Sequence, residues 1–171
     1  IETSEAPSSS RATDLNVGSG YGLGNVDITS LVACGNGNAA KLLAGAANTA
    51  QTYFSDDCGH SWTRSRKEPT GGSKTYVLIA ADFISSGRAY AATSGSDSAF
   101  SISEDGGIIW NQTGLIDTLI GDIIDLSPSP NYNQDNALFL LTFDGDYSLW
   151  RSTSGGEKWE RIFSSGLADV D

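Results

Sequence analysis

Apolar and β-branched residues occur along this chain in short runs, which clusters of Gly, Asn, Asp and Ser separate. Such runs are typical of β-strands joined by tight turns. No segment sustains the 3.6-residue period of an amphipathic helix, although 118–125 superficially resembles one. The pattern predicts three groups of four strands: 28–33, 41–46, 52–55 and 62–66; 76–81, 88–93, 99–103 and 109–113; 123–126, 137–143, 148–152 and 158–163.

One eight-residue pattern, Ser-x-Asp-x-Gly-x-x-Trp, recurs between the third and fourth strands of each group. We call the copies box 1 (55–62), box 2 (103–110) and box 3 (152–159). Their tryptophans are 48 and 49 residues apart, and this near-constant spacing indicates a repeat architecture. Box 3 has Ser where the others have Asp. The twelve candidate residues are Ser55, Asp57, Gly59 and Trp62; Ser103, Asp105, Gly107 and Trp110; and Ser152, Ser154, Gly156 and Trp159.

The residue types in these boxes predict a rigid turn. Asp can accept hydrogen bonds from backbone N–H groups of its own turn, and Ser adds a short local bond. Gly supplies a positive φ, and Trp offers a large apolar surface to a neighbouring sheet. The pattern resembles the Asp-box (BNR repeat) of sialidase, xyloglucanase, sortilin and photosystem-assembly-factor propellers. That resemblance implies an all-β fold of four-stranded antiparallel β-propeller blades, and it does not imply one activity, because the families differ in function.

The resemblance divides the chain into a Ser/Gly-rich tail, residues 1–22, and a propeller segment, residues 23–171. Three blades are expected, at about 26–70, 74–116 and 119–164. Closed propellers have about four to eight blades, so both flanks of a three-bladed segment need partners. We expect further blades of a longer polypeptide or other subunits to provide them.

Composition narrows the possible functions. The net charge of -11 argues against a nucleic-acid partner, and no apolar run is long enough for membrane insertion. The sequence contains no Met, so we expect a processed chain or part of a longer one. The acidity and the tail favour an exported protein at the cell surface or outside the cell.

Cysteines supply a second expectation. Cys34 follows the first strand and Cys58 lies in box 1, so the two are neighbours at one end of an up-and-down blade. We therefore expect a Cys34–Cys58 disulfide, as in an exported protein, rather than the two free thiols of a cytosolic one.

A search for catalytic groups finds no convincing set. The Arg-Ile-Pro motif and the arginine cluster of sialidases are missing, and Arg161-Ile162-Phe163 is the nearest match. Asp82 follows a first strand and is the best-placed acid for a glycosidase pair, although an acid there usually closes a turn. His60, the only histidine, lies in box 1 and is more simply a solvated turn residue than part of a triad or zinc site. No cofactor or metal is expected.

Three further features have a structural interpretation beside a functional one. Asp144-Gly145-Asp146 could ligate calcium weakly but is typical of a hairpin turn. Asn111 begins an Asn-x-Thr glycosylation sequon on an outer strand. The segment 127–139 resembles a linker common in bacterial Asp-box propellers, with matches at Tyr132, Asp135, Leu138 and Phe139, and we expect it to order a loop.

The sequence therefore predicts an exported, non-catalytic structural or interaction module built of propeller blades, as part of an extracellular surface or filament assembly. The alternative is a segment of a carbohydrate-active enzyme with a glycoside hydrolase or sialidase-like propeller. Carbohydrate remains a possible ligand under either interpretation.

Overall fold

The structure is a computed structural model, and it describes residues 26–95, 98–117 and 120–165. Twelve strands form three separate sheets, each of four strands in sequential antiparallel order. The predicted tail, residues 1–22, lies outside the described residues. In the part of the chain that is described, no helix is long and apolar enough to cross a membrane.

Each sheet is one blade, and its strands follow one another from first to fourth. Blade 1 contains β1 (Ile28–Cys34), β2 (Lys41–Ala46), β3 (Thr52–Ser55) and β4 (Thr63–Arg64). Blade 2 contains β5 (Thr75–Ile79), β6 (Ala89–Thr93), β7 (Ser98–Ser103) and β8 (Asn111–Asp117). Blade 3 contains β9 (Asp122–Pro128), β10 (Leu138–Asp144), β11 (Asp146–Ser152) and β12 (Glu160–Ser164).

The predicted strands all exist, and their bounds differ by a few residues. The fourth strands begin one residue after each box tryptophan, at Thr63, Asn111 and Glu160. Two single-turn helices were not predicted: α1 (Phe83–Ser86) and α2 (Tyr132–Asp135) each connect the first strand of a blade to the second. A short 3₁₀ turn, Gly37–Ala39, occupies the same place in blade 1.

Strand register relates the blades residue by residue. Leu42 pairs with Ser55, Ala89 with Ser103, and Leu138 with Ser152, each time opposite the first residue of a box. Counting from these pairs makes Leu43, Tyr90 and Phe139 equivalent on the second strands. By the same counting, Thr52, Phe100 and Leu149 are equivalent on the third strands.

Two buried clusters join the blades. The first, which we call seam 1, lies between blades 1 and 2 and contains Leu43, Val77, Phe83, Ala89, Ala91 and Trp110. The second, seam 2, lies between blades 2 and 3 and includes Tyr90, Ala92, Phe100, Leu126, Leu138, Leu140 and Trp150. Successive residues of the middle strands therefore alternate between two seams, which explains why β6 is buried along its whole length.

Candidate functional site

Boxes 1 and 2 close with the hydrogen bonds that the residue types predict. In box 2, Oδ1 of Asp105 accepts from the N–H groups of Ile108 (3.1 Å) and Ile109 (2.9 Å). Ser103 Oγ donates to Asp105 at 2.8 Å and accepts from the Gly107 N–H at 2.9 Å. These bonds satisfy four groups of one turn, so the turn is rigid without any ligand.

Box 1 adds one more hydroxyl to the same arrangement. Asp57 accepts from the Ser61 hydroxyl at 2.6 Å and from the Ser61 N–H at 2.8 Å, besides Ser55 Oγ. Hydrogen bonds from the Ser61 hydroxyl, the Ser61 N–H and the Ser55 hydroxyl lower the pKa of Asp57 to about 2. The carboxylate is fixed as a turn acceptor.

Box 3 retains only part of this network, because Ser154 has one oxygen where Asp has two. Its Oγ still accepts from the Lys158 N–H at 3.0 Å, the bond equivalent to the one from Ile109 in box 2. The contact between the Ser152 and Ser154 hydroxyls is longer, at 3.4 Å. Box 3 is therefore the least tightly bonded of the three turns.

A residue with positive φ precedes each box glycine. Gly106 and Gly155 occupy this position in boxes 2 and 3, but box 1 has Cys58, with φ of 60°. A side chain there is strained. Its thiol lies between the Gly37 carbonyl, 3.0 Å away, and the Ala40 N–H, 3.2 Å away, and these contacts hold the strained turn in place.

The predicted Cys34–Cys58 disulfide is absent: both residues are free thiols. The physical reason is the direction of the two side chains. Cys34 lies against the seam 1 cluster, and burial raises the pKa of its thiol. Cys58 instead contacts the Gly37–Ala40 turn of its own blade.

Each later box contacts the blade before it. A Cβ at Gly107 would lie 2.6 Å from Leu43 of blade 1, and a Cβ at Gly156 would overlap the ring of Phe100 in blade 2. Trp110 is 1% exposed and donates its indole N–H to Thr52 Oγ1 at 2.8 Å. The boxes thus attach one blade to the next.

Trp159 attaches differently from Trp110. Its ring meets Phe100 edge-on, with the centroids 5.3 Å apart, and its N–H turns back to the Gly156 carbonyl at 3.0 Å. Phe100 fills the volume that Thr52 leaves open at the equivalent position. Trp159 consequently remains only partly buried.

The two single-turn helices place an aromatic residue on the preceding blade. Phe83 of α1 is buried in the same cluster as Leu43, and Tyr132 of α2 contacts Tyr90, the residue equivalent to Leu43. The segment after Ser127 was expected to order a loop, and Asp135 does so through Ser129 Oγ (2.6 Å) and the Ala137 N–H (2.9 Å). Sequence reasoning missed the related segment at Phe83, although its aromatic residue lies six positions before Ala89, as Tyr132 does before Leu138.

The remaining candidates are not brought together into one site. Asp82 is exposed and makes no side-chain cap for α1. His60 is exposed and contacts only the backbone carbonyl of Asp57 at 2.5 Å. Asp144 and Asp146 are paired across the β10–β11 turn with Gly145 between them, and no group of three metal-ligating side chains occurs among the described residues.

Asn111, the sequon residue, begins β8 and is exposed. Its Oδ1 accepts from Lys67 Nζ at 2.9 Å. The amide nitrogen, which a glycan would modify, is the other terminal atom of the same amide group.

A cavity of about 420 Å³ lies at seam 2, beside the contact between Tyr90 and Tyr132. Its lining contains no carboxylate, imidazole, thiol or basic group. The residues are Leu78, Ile79, Ala80, Ala81, Tyr90, Pro128, Ser129, Pro130, Asn131, Tyr132, Asn133 and Gln134. The lining is uncharged, and its titratable groups are the hydroxyls of Tyr90 and Tyr132.

The outer face of blade 3 is the other unusual surface. It is the face on which a following blade would pack, because Phe139 and Leu149 are equivalent to the box-contacting residues Leu43 and Phe100 of blades 1 and 2. Phe163 (56% exposed), Tyr147 (49%) and Phe143 (37%) lie around them. We call this surface the blade-3 flank: Phe139, Leu141, Phe143, Tyr147, Leu149 and Phe163.

The solved structures similar to this chain include two GH74 enzymes and YCF48. The crystal structure of an ancestral GH74 enzyme superposes with a TM-score of 0.59 at 16% identity, over 81% of this chain and 20% of that protein. YCF48 from Cyanidioschyzon merolae gives 0.48 at 15% identity (78% and 39%), and the Niastella koreensis GH74 enzyme gives 0.45 at 19% (78% and 24%). This chain spans about a fifth of the length of the first of these proteins.

At these identities the likeness concerns the fold alone. Together with the three four-stranded antiparallel sheets, it confirms the predicted all-β fold of propeller blades. No protein-family model matches the chain, and no curated protein matches it.

Proposed function

We propose that this chain is a non-catalytic interaction module of an exported protein, in which a further blade covers the blade-3 flank. The three repeated turns are, in this proposal, Asp-boxes. The observation that carries the proposal is the half-exposed apolar surface of the blade-3 flank. At seams 1 and 2, the equivalent positions of blades 1 and 2 are buried against the box of the following blade.

The internal seams define what the covering surface must provide. At both seams, the glycine and the tryptophan of the next box contact the preceding blade. At seam 1 they meet Leu43 and Thr52, respectively, and at seam 2 both meet Phe100. Leu149 and Phe139 present the same two positions on blade 3. Exposed apolar surfaces of this kind mark interaction sites, and a box-bearing blade, from the same polypeptide or another subunit, has the complementary shape.

Sedimentation velocity at micromolar concentration tests the proposal, with a dye that binds exposed apolar surface as the second measurement. We expect the chain to self-associate or to bind the dye. Phe163→Asp should weaken association at least tenfold, because it places a charge in the flank. Leu115→Asp is the matched control: Leu115 is also 56% exposed but lies on β8 of blade 2.

A chain that sediments as a monomer and binds no dye would refute the proposal. Equal effects of the two substitutions would show that the flank is not the associating surface.

The exported location in this proposal is supported by the net charge of -11 and the Ser-rich beginning of the sequence. A membrane-impermeant amine reagent applied to intact cells of the source should label the protein. Labelling only after lysis would contradict an extracellular location.

A further inference from the structure

We propose that the cavity at seam 2 binds one apolar side chain of a partner polypeptide segment, whose backbone the surrounding amides hydrogen-bond. This inference names a partner class for the interaction module proposed above and rests on that proposal. The cavity, unlike the blade-3 flank, is not needed to continue the propeller.

Different side chains lie beside the helix turns of the two seams. At seam 1 the helix aromatic is Phe83, which is buried with Leu43. At seam 2 the equivalent pair is Tyr132 and Tyr90, whose hydroxyls are joined at 2.8 Å while their rings meet edge-on at 73°. This polar, edge-on contact leaves space between α2 and the end of β5.

The size and the walls of this space suit one large apolar side chain. Ligand sites commonly measure about 300–1,000 Å³ and have apolar walls with few polar groups. Here Leu78, Ala80 and Pro128 supply apolar atoms to a cavity of about 420 Å³. A leucine or phenylalanine side chain with part of its backbone fits within that volume.

The rim supplies hydrogen bonds for a peptide backbone. Asn131, Asn133 and Gln134 are exposed, and among the described residues their side-chain amides have no hydrogen-bond partner. An amide group offers both a donor and an acceptor, as a peptide bond does. These three residues therefore match a backbone segment leaving the cavity.

The apolar walls favour an apolar side chain over a saccharide, because sugar hydroxyl groups would find no hydrogen-bond partner along Leu78, Ala80 and Pro128. A sugar needs an open ring face to stack on, but Tyr90 is 3% exposed, with Phe100 stacked on it at 5.8 Å and Tyr132 against it at 5.5 Å. Tyr90 is therefore closed to a sugar, and Tyr132, the other ring in the lining, is itself partly buried. The lining is also uncharged, so a neutral apolar anchor meets no ionic group.

The test is NMR titration of the Phe163→Asp protein, in which association through the flank is suppressed. The probes are N-acetyl-leucinamide and N-acetyl-phenylalaninamide, with cellobiose as the neutral saccharide. We expect the two amides to shift backbone resonances of 78–81 and 131–134 with a Kd of about 1–10 mM, as small ligands of this size allow.

Two variants decide whether the cavity is responsible. Ala81→Phe fills the opening from an exposed position and should raise the Kd about tenfold or more. Ile84→Ala is the matched control, because Ile84 occupies in α1 the position that Asn133 occupies in α2, and it should leave binding unchanged.

Shifts caused by cellobiose but not by the amides would overturn the inference in favour of a saccharide site. Absence of shifts with all three probes would overturn it altogether. Either result leaves the sedimentation of the wild-type chain as an independent measure of the proposed function.

Discussion

Seam 1 and seam 2 join equivalent faces of successive blades, yet they are built differently. At seam 1, Trp110 is fully buried over the small Thr52 and hydrogen-bonds to it. At seam 2, Phe100 occupies the equivalent position, and Trp159 is left at its edge. One side chain on the third strand therefore decides whether the next box inserts its tryptophan or only touches the blade.

At seam 1 the backbones approach closely where β2 of blade 1 meets β5 of blade 2, whereas at seam 2 the close approach is between Gly114 of β8 and the backbone of box 3. A Cβ at Gly45 would overlap the carbonyl oxygen of Thr75. Ser30 bridges the blades by donating to the Thr75 carbonyl at 3.1 Å and accepting from the Val77 N–H at 2.9 Å. Ala92 is the residue equivalent to Gly45 at seam 2, so that seam accommodates a Cβ. A cavity of about 280 Å³ beside Phe83 shows that seam 1 is not closed everywhere, so the difference between the seams concerns the inner strands.

The largest expected effect concerns the two tryptophans. Trp110→Ala should reduce the free energy of unfolding by about 3–5 kcal/mol, since it removes a buried aromatic side chain. Trp159→Ala should cost less, because its ring is partly exposed already. Urea unfolding measures both variants, and equal losses would remove the distinction between the seams.

The next prediction concerns the close approach of the two backbones at seam 1. Gly45→Ala should destabilise the chain by about 1–3 kcal/mol, because the added methyl group meets the Thr75 backbone and cannot be accommodated by a side-chain movement. Gly72→Ala is the control, since no atom lies within 4 Å of a Cβ there. Thermal unfolding in which both variants behave like the wild type would show that blade 1 can shift away.

Boxes 2 and 3 should differ by a smaller amount in what their turn hydrogen bonds contribute to the free energy of unfolding. Asp105→Ala should cost about 1–3 kcal/mol through the lost turn hydrogen bonds. Ser154→Ala should cost less, because Ser154 accepts only one backbone bond, from Lys158. In hydrogen exchange of the wild-type chain, the Lys158 amide should exchange faster than the Ile109 amide, and the reverse order would contradict this account.

The smallest effect is an acid-dependent loosening of box 1. The pKa of Asp57 is lowered to about 2 in the folded chain by its hydrogen bonds to Ser61 and Ser55, against about 3.9 in an unfolded chain. A depressed folded pKa contributes stability above the unfolded value, and that stability is lost as the pH falls from about 4 to about 2. Asp57→Asn should remove this component from the pH dependence of urea unfolding between those values, whereas an unchanged profile would refute it.

The sequence by itself determined the repeat. The Ser-x-Asp-x-Gly-x-x-Trp spacing located the three turns, and the short β-rich runs located all twelve strands. These features were readable because hydrogen bonds within eight residues and alternation along one strand are local. The free thiols were not readable in the same way, because neighbouring positions at one blade end do not determine side-chain direction: Cys34 faces a seam and Cys58 its own turn.

Only the tertiary structure decided what lies between the blades. Each seam brings together residues that are far apart in the chain: Trp110 is 58 positions from Thr52, and Trp159 is 59 positions from Phe100. Whether the tryptophan is buried therefore depends on a residue in another sheet. The cavity beside Tyr90 arises from the same cause, since its walls come from two blades and a helix turn that was not predicted. Packing across sheets depends on the shapes of both partners, and a repeat motif specifies only one of them at a time.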